Sequence, residues 1–125
     1  VHELAGLDPS VEYVLLTRPG DLAEAAAVAA NVRAVAEPAR AYSLAEQLRV
    51  PLAARRLHAD LFHAPHYVLP PLVPGRTVVT IHDCIHLRFP QYLPSRAAWV
   101  YAHMMIRAAA RKATRILTVS EASKR

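Results

Sequence analysis

A chain of 125 residues, 54% of them apolar, is long enough to enclose a hydrophobic core, so one globular unit is expected. Fifteen Lys and Arg against ten Asp and Glu give a net charge of +5, while the single cysteine, Cys84, excludes an internal disulfide and a cysteine-rich zinc site. No apolar run approaches the roughly 20 residues that cross a bilayer, and the N-terminus lacks the basic-then-apolar order of a secretory signal, so a soluble, cytoplasmic protein is expected.

The opening segment Val1–Leu7 reads as the tail of a helix with no strand before it. Short apolar runs at Glu12–Leu16, Val32–Val35, Asp60–His63, Val78–Ile81 and Ile116–Val119 predict strands. Longer periodic stretches at Leu22–Ala30, Leu44–Leu57 and Arg96–Ala113 predict helices, with Asp21, Ser43 and Ser95 as their N-caps. The last helix places Trp99, Ala102, Ile106, Ala109 and Ala113 on one face, which should pack on a sheet. Pro51 falls inside the second helix and is expected to kink or split it. Pro65, Pro70, Pro71 and Pro74, then Pro90 and Pro94, mark stiff loops. Strands alternating with helices predict an α/β fold with a parallel sheet. The chain closes on Ser120–Arg125 as a helix starts, so both ends read as cuts in a longer protein.

Charge is unevenly placed. Residues 1–62 hold six Lys or Arg against eight Asp or Glu, whereas residues 63–125 hold nine against two, Asp83 and Glu121. The basic half favours phosphate-bearing ligands, nucleic acid or an anionic membrane; a solvated face without a partner is the plain alternative. Scattered residues such as Arg18, Arg33, Arg40 and Arg76 fit that alternative, while Arg107, Arg111, Lys112 and Arg115 are dense enough to keep both readings open.

The most informative stretch is Thr77–His86, where a β-branched run ends in His82, Asp83 and His86. Ligands of open α/β sheets bind beyond the carboxyl ends of the strands, so His82 is favoured as a catalytic or substrate-binding residue over a buried structural histidine. Asp83 reads equally as a local cap on backbone amides. Five histidines (His58, His63, His66, His82 and His86) fall within 29 residues, and if the strands ending at His63 and His82 are neighbours, His66, His82, Asp83 and His86 converge on one crevice. A metal site is a minor reading of this group, because no helix is assured between His82 and His86. His63 reads as a strand-end core residue, and His58 and His103 as surface or satisfied histidines. Tyr67 either stacks on a sugar or base or covers the core. In Ile116–Lys124, Ser120 caps the start of a helix, with Glu121 in its first turn and Ser123 near the same crevice; a plain N-cap needs no function.

Taken in order, Asp60–Pro70 (DLFHAPHYVLP), Val79–Pro90 (VTIHDCIHLRFP) and Ile116–Arg125 (ILTVSEASKR) resemble the N-terminal domain of family 4 glycosyltransferases, especially bacterial mannosyltransferase-like members. Tyr13–Pro19 and Ser43–Gln47 also look like family segments. The resemblance implies a partial N-terminal, acceptor-side domain of a GT-B enzyme, a Rossmann-like parallel sheet with helices on both faces, and a missing C-terminal donor-binding domain. It implies retaining transfer of a sugar, such as mannose, from a nucleotide-sugar to a glycan or lipid-linked acceptor, with no metal and no cofactor beyond the donor. It maps His82, with Asp83 beside it, to the cleft near the transferred sugar, and Val119 to Ser123 to the cleft border. His66, Tyr67, His86, Ser120, Glu121 and Ser123 are the substrate-binding candidates. The glycine-rich loop after the family's first strand and the donor-domain basic residues and paired glutamates are absent, so this segment alone is expected to be inactive. Arg107, Arg111 and Lys112 would allow peripheral contact with the anionic inner face of a membrane. Two other function classes remain beside this one: a basic phosphate or nucleic-acid binding module, lacking regular stacking aromatics, and a metal-dependent hydrolase using His82, Asp83 and His86.

Overall fold

The computed structural model describes residues 1–83 and 89–121. The chain divides into two compact units, Val1–Ala45 and Glu46–Arg125, where the length alone suggested one. The five expected strands all form, within one or two residues of the expected bounds, but they pair into two parallel sheets rather than one continuous ladder.

In the first unit, helix α1 (His2–Leu7) precedes strand β1 (Tyr13–Thr17), a 3-10 turn (Pro19–Asp21), helix α2 (Leu22–Ala26) and strand β2 (Val32–Ala36). Tyr13 lies opposite Val32 and Thr17 opposite Ala36 in parallel register. Asn31 ties the unit together: its side-chain amide donates to the carbonyls of Ala5 at 3.2 Å and Val11 at 3.0 Å, satisfying backbone acceptors that the end of α1 and the following turn leave open. Asp8 accepts from both the backbone amide and the hydroxyl of Ser10, and these bonds hold its carboxyl below the usual range. Helix α2 ends four residues earlier than its sequence pattern suggested, because the chain turns at Ala29, whose carbonyl accepts from Val32 N–H as β2 begins. Asp21 stands at the N-cap position of α2 but makes no side-chain cap bond there; its carboxylate instead faces Arg18 at 3.4 Å.

Helix α3 (Leu44–Arg56) runs without interruption through Pro51, so the proline does not split it. At its start the Ser43 hydroxyl donates to the Arg40 carbonyl at 2.6 Å. Pro51, Val50 and Ala54 form its buried side.

The second unit holds strands β3 (Leu61–Ala64), β4 (Arg76–Ile81) and β5 (Arg115–Thr118), with helix α4 (Arg96–Lys112) crossing from β4 to β5. The order is β3-β4-β5, all parallel, with Ala64 opposite Val79 and Ile81 opposite Thr118. Strand β4 is the central strand and alternates exposed or half-buried with buried residues, burying Thr77, Val79 and Ile81 toward α4. Ile106 and Ala109 return that contact from the helix, joined by Ala64 and Leu69, with Phe62, Tyr67 and Ala113 packed around them; Ala102 is buried on the same helix.

Crossovers between parallel strands usually carry a helix. The segment from residue 65 to 75 carries none, yet Val68, Leu69, Pro70 and Val73 are buried. Four prolines explain how an irregular segment can be buried: a proline has no N–H to leave unpaired. The segment closes through Val73 N–H to the Pro70 carbonyl, and Gly75, at φ +72°, makes the left-handed turn into β4 that a side chain would strain.

Thr77 is fully buried and fully bonded. Its hydroxyl donates to the Lys112 carbonyl at 3.2 Å, its N–H to the Thr114 hydroxyl at 3.2 Å, and its carbonyl accepts from Thr114 N–H at 2.7 Å. The C-terminal end of α4 is thereby clamped to the start of β4, so the helix N-terminus points back toward the carboxyl edge of the sheet. The architecture is α/β, with parallel sheets flanked by helices.

Candidate functional site

At the carboxyl edge of the β3-β4-β5 sheet three chain segments leave side by side. Strand β3 gives way to Pro65, His66 and Tyr67; β4 to His82 and Asp83; β5 to Val119, Ser120 and Glu121. The strands ending near His63 and His82 are direct neighbours, as convergence of the histidines requires. Because Ile81 lies opposite Thr118, His82 and Asp83 leave the ladder beside Val119 and Ser120.

His82 is exposed, and its Nε2 lies 2.9 Å from the Pro65 carbonyl. A carbonyl only accepts, so Nε2 donates in this contact. The segment leaving the neighbouring strand thus helps to fix the imidazole. The buried structural alternative for His82 does not hold.

His66 and Tyr67 form a tilted ring pair with centroids 4.0 Å apart. Tyr67 also packs against the core cluster, which places its body in the role of core cover. Ser120 and Glu121 are exposed at the end of β5, where the Thr118 hydroxyl donates to the Ser120 carbonyl at 3.4 Å. Cys84, His86 and Ser123 lie outside the described residues. Among the described residues no group of three or more His, Cys, Asp or Glu is placed to hold a metal ion.

His63 departs from the sequence expectation of a core residue. It is exposed, on the sheet face opposite α4, and its Nε2 meets the Thr80 Oγ1 on β4 at 2.8 Å. Partial burial of the ring pushes its pKa down from the ordinary histidine value. Strict alternation along β3 could have revealed this, since Phe62 and Ala64 take the core side and His63 must then face away.

Trp99 also departs from expectation. It is half-buried, outside the sheet-facing cluster, with its ring 4.1 Å from that of His103. His103 Nδ1 and Trp99 Nε1 are buried and, among the described residues, have no hydrogen-bond partner, so His103 is not a fully satisfied histidine. With Leu93, Ser95 and Arg96, Trp99 lines an open depression of about 370 Å³ at the start of α4. That end of the helix shares the edge of the layer with His82, a juxtaposition visible only once the Thr77 clamp sets the helix direction.

Basic residues line the outer side of α4: Arg107 and Arg111 are exposed, while Lys112 is half-buried and spends its carbonyl on Thr77. No helix among the described residues is long and apolar enough to cross a membrane.

No curated protein and no solved structure matches the chain. The sequence model of Glycosyltransferase Family 4, however, matches residues 1–125, the whole length given. The ordered segments around His66, His82 and Ser120 are therefore parts of one family domain, and the chain belongs to glycosyltransferase family 4.

Proposed function

We propose that this chain forms the acceptor-side half of a GT-B enzyme that moves a sugar, mannose in the first instance, from a nucleotide-sugar to a glycan or lipid-linked acceptor with retention of configuration. The observation that carries this reading is the convergence of His66, His82, Asp83 and Ser120 on one sheet edge, with His82 held from Pro65, in a chain matched throughout by the family. Open α/β sheets bind ligands at this edge.

Each group then has a defined task. His82 and Asp83 contact the transferred sugar and the attacking hydroxyl, His82 as a polar partner whose ring orientation is preset. Preorganised dipoles of this kind stabilise the charge that develops as the sugar–phosphate bond breaks. His66, Tyr67, Ser120 and Glu121, with His86 and Ser123 from the flanking segments, border the acceptor. The nucleotide diphosphate is held by a second, donor-binding domain, so this chain by itself does not transfer. Neither metal nor a cofactor beyond the donor takes part, and the site of action is the cytoplasmic side of the membrane.

The test is sugar transfer from a panel of labelled nucleotide-sugars to lipid and glycan extracts, by a protein carrying this chain together with a donor-binding domain. Transfer should survive EDTA and fall about a hundredfold or more in His82→Ala. Undiminished transfer by His82→Ala removes the assignment of His82, and activity that EDTA abolishes redirects the reading to a metal-dependent enzyme.

A further inference from the structure

Helix α4 begins with a charge in an unfavourable place. The N-terminal end of a helix favours carboxylates over cations, yet its first turn carries Arg96 and no Asp or Glu. Arg96 is exposed, and among the described residues it has no ion pair. With Leu93, Ser95 and Trp99 it lines the open depression of about 370 Å³, a size in the range of small-ligand sites. Trp99 is the single tryptophan of the chain and lies outside the sheet-facing cluster. A buried indole N–H usually finds an acceptor, but this one has none among the described residues, so the fold alone does not account for the ring. The Ser95 oxygen accepts from Ala98 N–H, which leaves the hydroxyl hydrogen to donate. Among the described residues no acidic side chain lines the depression.

We propose that this depression binds an acidic sugar, a hexuronate residue of the acceptor. The C–H face of a sugar ring packs on an indole, and Leu93 extends the apolar surface beside Trp99. The basic side chain selects the acid: the planar guanidinium fork of Arg96 matches a carboxylate bidentately, and the Ser95 O–H adds a further donor at the start of the helix. Arg96 is the one cation among the lining residues, which balances the single charge of a carboxylate rather than the larger charge of a phosphate monoester or a diphosphate. The depression lies at the edge of the layer that carries His82, so an acceptor seated on Trp99 extends toward that edge. The role of acceptor rests on the transfer reading above, whereas binding of the hexuronate rests on the depression alone.

The experiment is calorimetric titration of the chain with a glucuronate-terminated disaccharide, its glucose-terminated counterpart, glucose 6-phosphate and uridine diphosphate. The glucuronate sugar should bind about tenfold more tightly than the glucose one, the worth of one charge-assisted contact, and should lose that preference in Arg96→Gln. The same variant should melt no lower than the parent, because a cation has left the first turn; a residue that only supported the fold would lower the melting temperature. Trp99→Leu should weaken both disaccharides, with unchanged circular dichroism establishing that it is folded. Equal affinity for the two disaccharides, a preference that survives in Arg96→Gln, or glucuronate binding that Trp99→Leu leaves undiminished overturns the proposal. So does tighter binding of glucose 6-phosphate or uridine diphosphate in competition with the glucuronate sugar. Transfer assays with protein that also carries a donor-binding domain separate the two readings. Transfer to neutral acceptors alone overturns the acidic acceptor and leaves glycosyl transfer standing, whereas glucuronate binding without transfer to any acceptor supports the site and removes the transfer reading.

Discussion

Thr77 is the buried polar residue of the second unit among the described residues, and it joins helix to sheet. A threonine with no exposure must place its hydroxyl on a partner or lose a hydrogen bond's worth of stability, and here the partner is the last-turn carbonyl of α4. Replacing it with valine keeps the shape and removes only that bond. Thr77→Val should destabilise the domain by about 1–2 kcal/mol in urea unfolding, from the unpaired Lys112 carbonyl. A variant as stable as the parent would mean that the clamp rests on the Thr114 contacts alone. His63 offers a residue-scale pH test. Partial burial lowers its folded-state pKa, so as pH falls through the ordinary histidine value the unfolded chain takes up a proton before the folded one does. Stability is therefore full above that value and declines as pH drops toward the lower, folded-state value. In a ring-proton titration by NMR, the His63 midpoint should lie lower in the native chain than in urea; coincident midpoints would contradict the burial argument.

At the scale of elements, α4 is the best specified of the helices. The Ser95 hydroxyl accepts from Ala98 N–H at 3.1 Å, the bond expected of the residue that follows Pro94. Ser95→Ala should lower thermal stability by about 1 kcal/mol, with loss of helical signal confined to the first turn. An unchanged melting temperature would indicate that the sheet contact of Ile106 and Ala109 alone fixes the helix. That contact was legible in advance, because apolar periodicity reports packing directly. Asp21 was not legible in the same way: the same residue type at the same position turned to Arg18, an alternative ion pair that local sequence offers equally. The segment from 65 to 75 was readable as a proline loop but not as part of the core, since burial of an irregular segment depends on which face lacks a helix. Pro51 shows the reverse case, a strong local rule overridden by a helix whose proline side is buried.

Across the whole molecule, the strand sequence set the sheet edge at which His82, Asp83 and Ser120 emerge, and the alternation of β-branched runs with helices was enough to see it. What the sequence did not expose was pairing: nothing local distinguishes five strands in one ladder from two sheets in two units. The same is true of the tether on His82, which joins residues 17 positions apart. That tether has a consequence for how the site tolerates change. Its acceptor is a main-chain carbonyl, so every amino acid at position 65 supplies it, and only the path of the backbone has to persist. This contact is thus insulated from side-chain drift in the neighbouring loop, which leaves the side chains around it free to vary while the histidine keeps its partner.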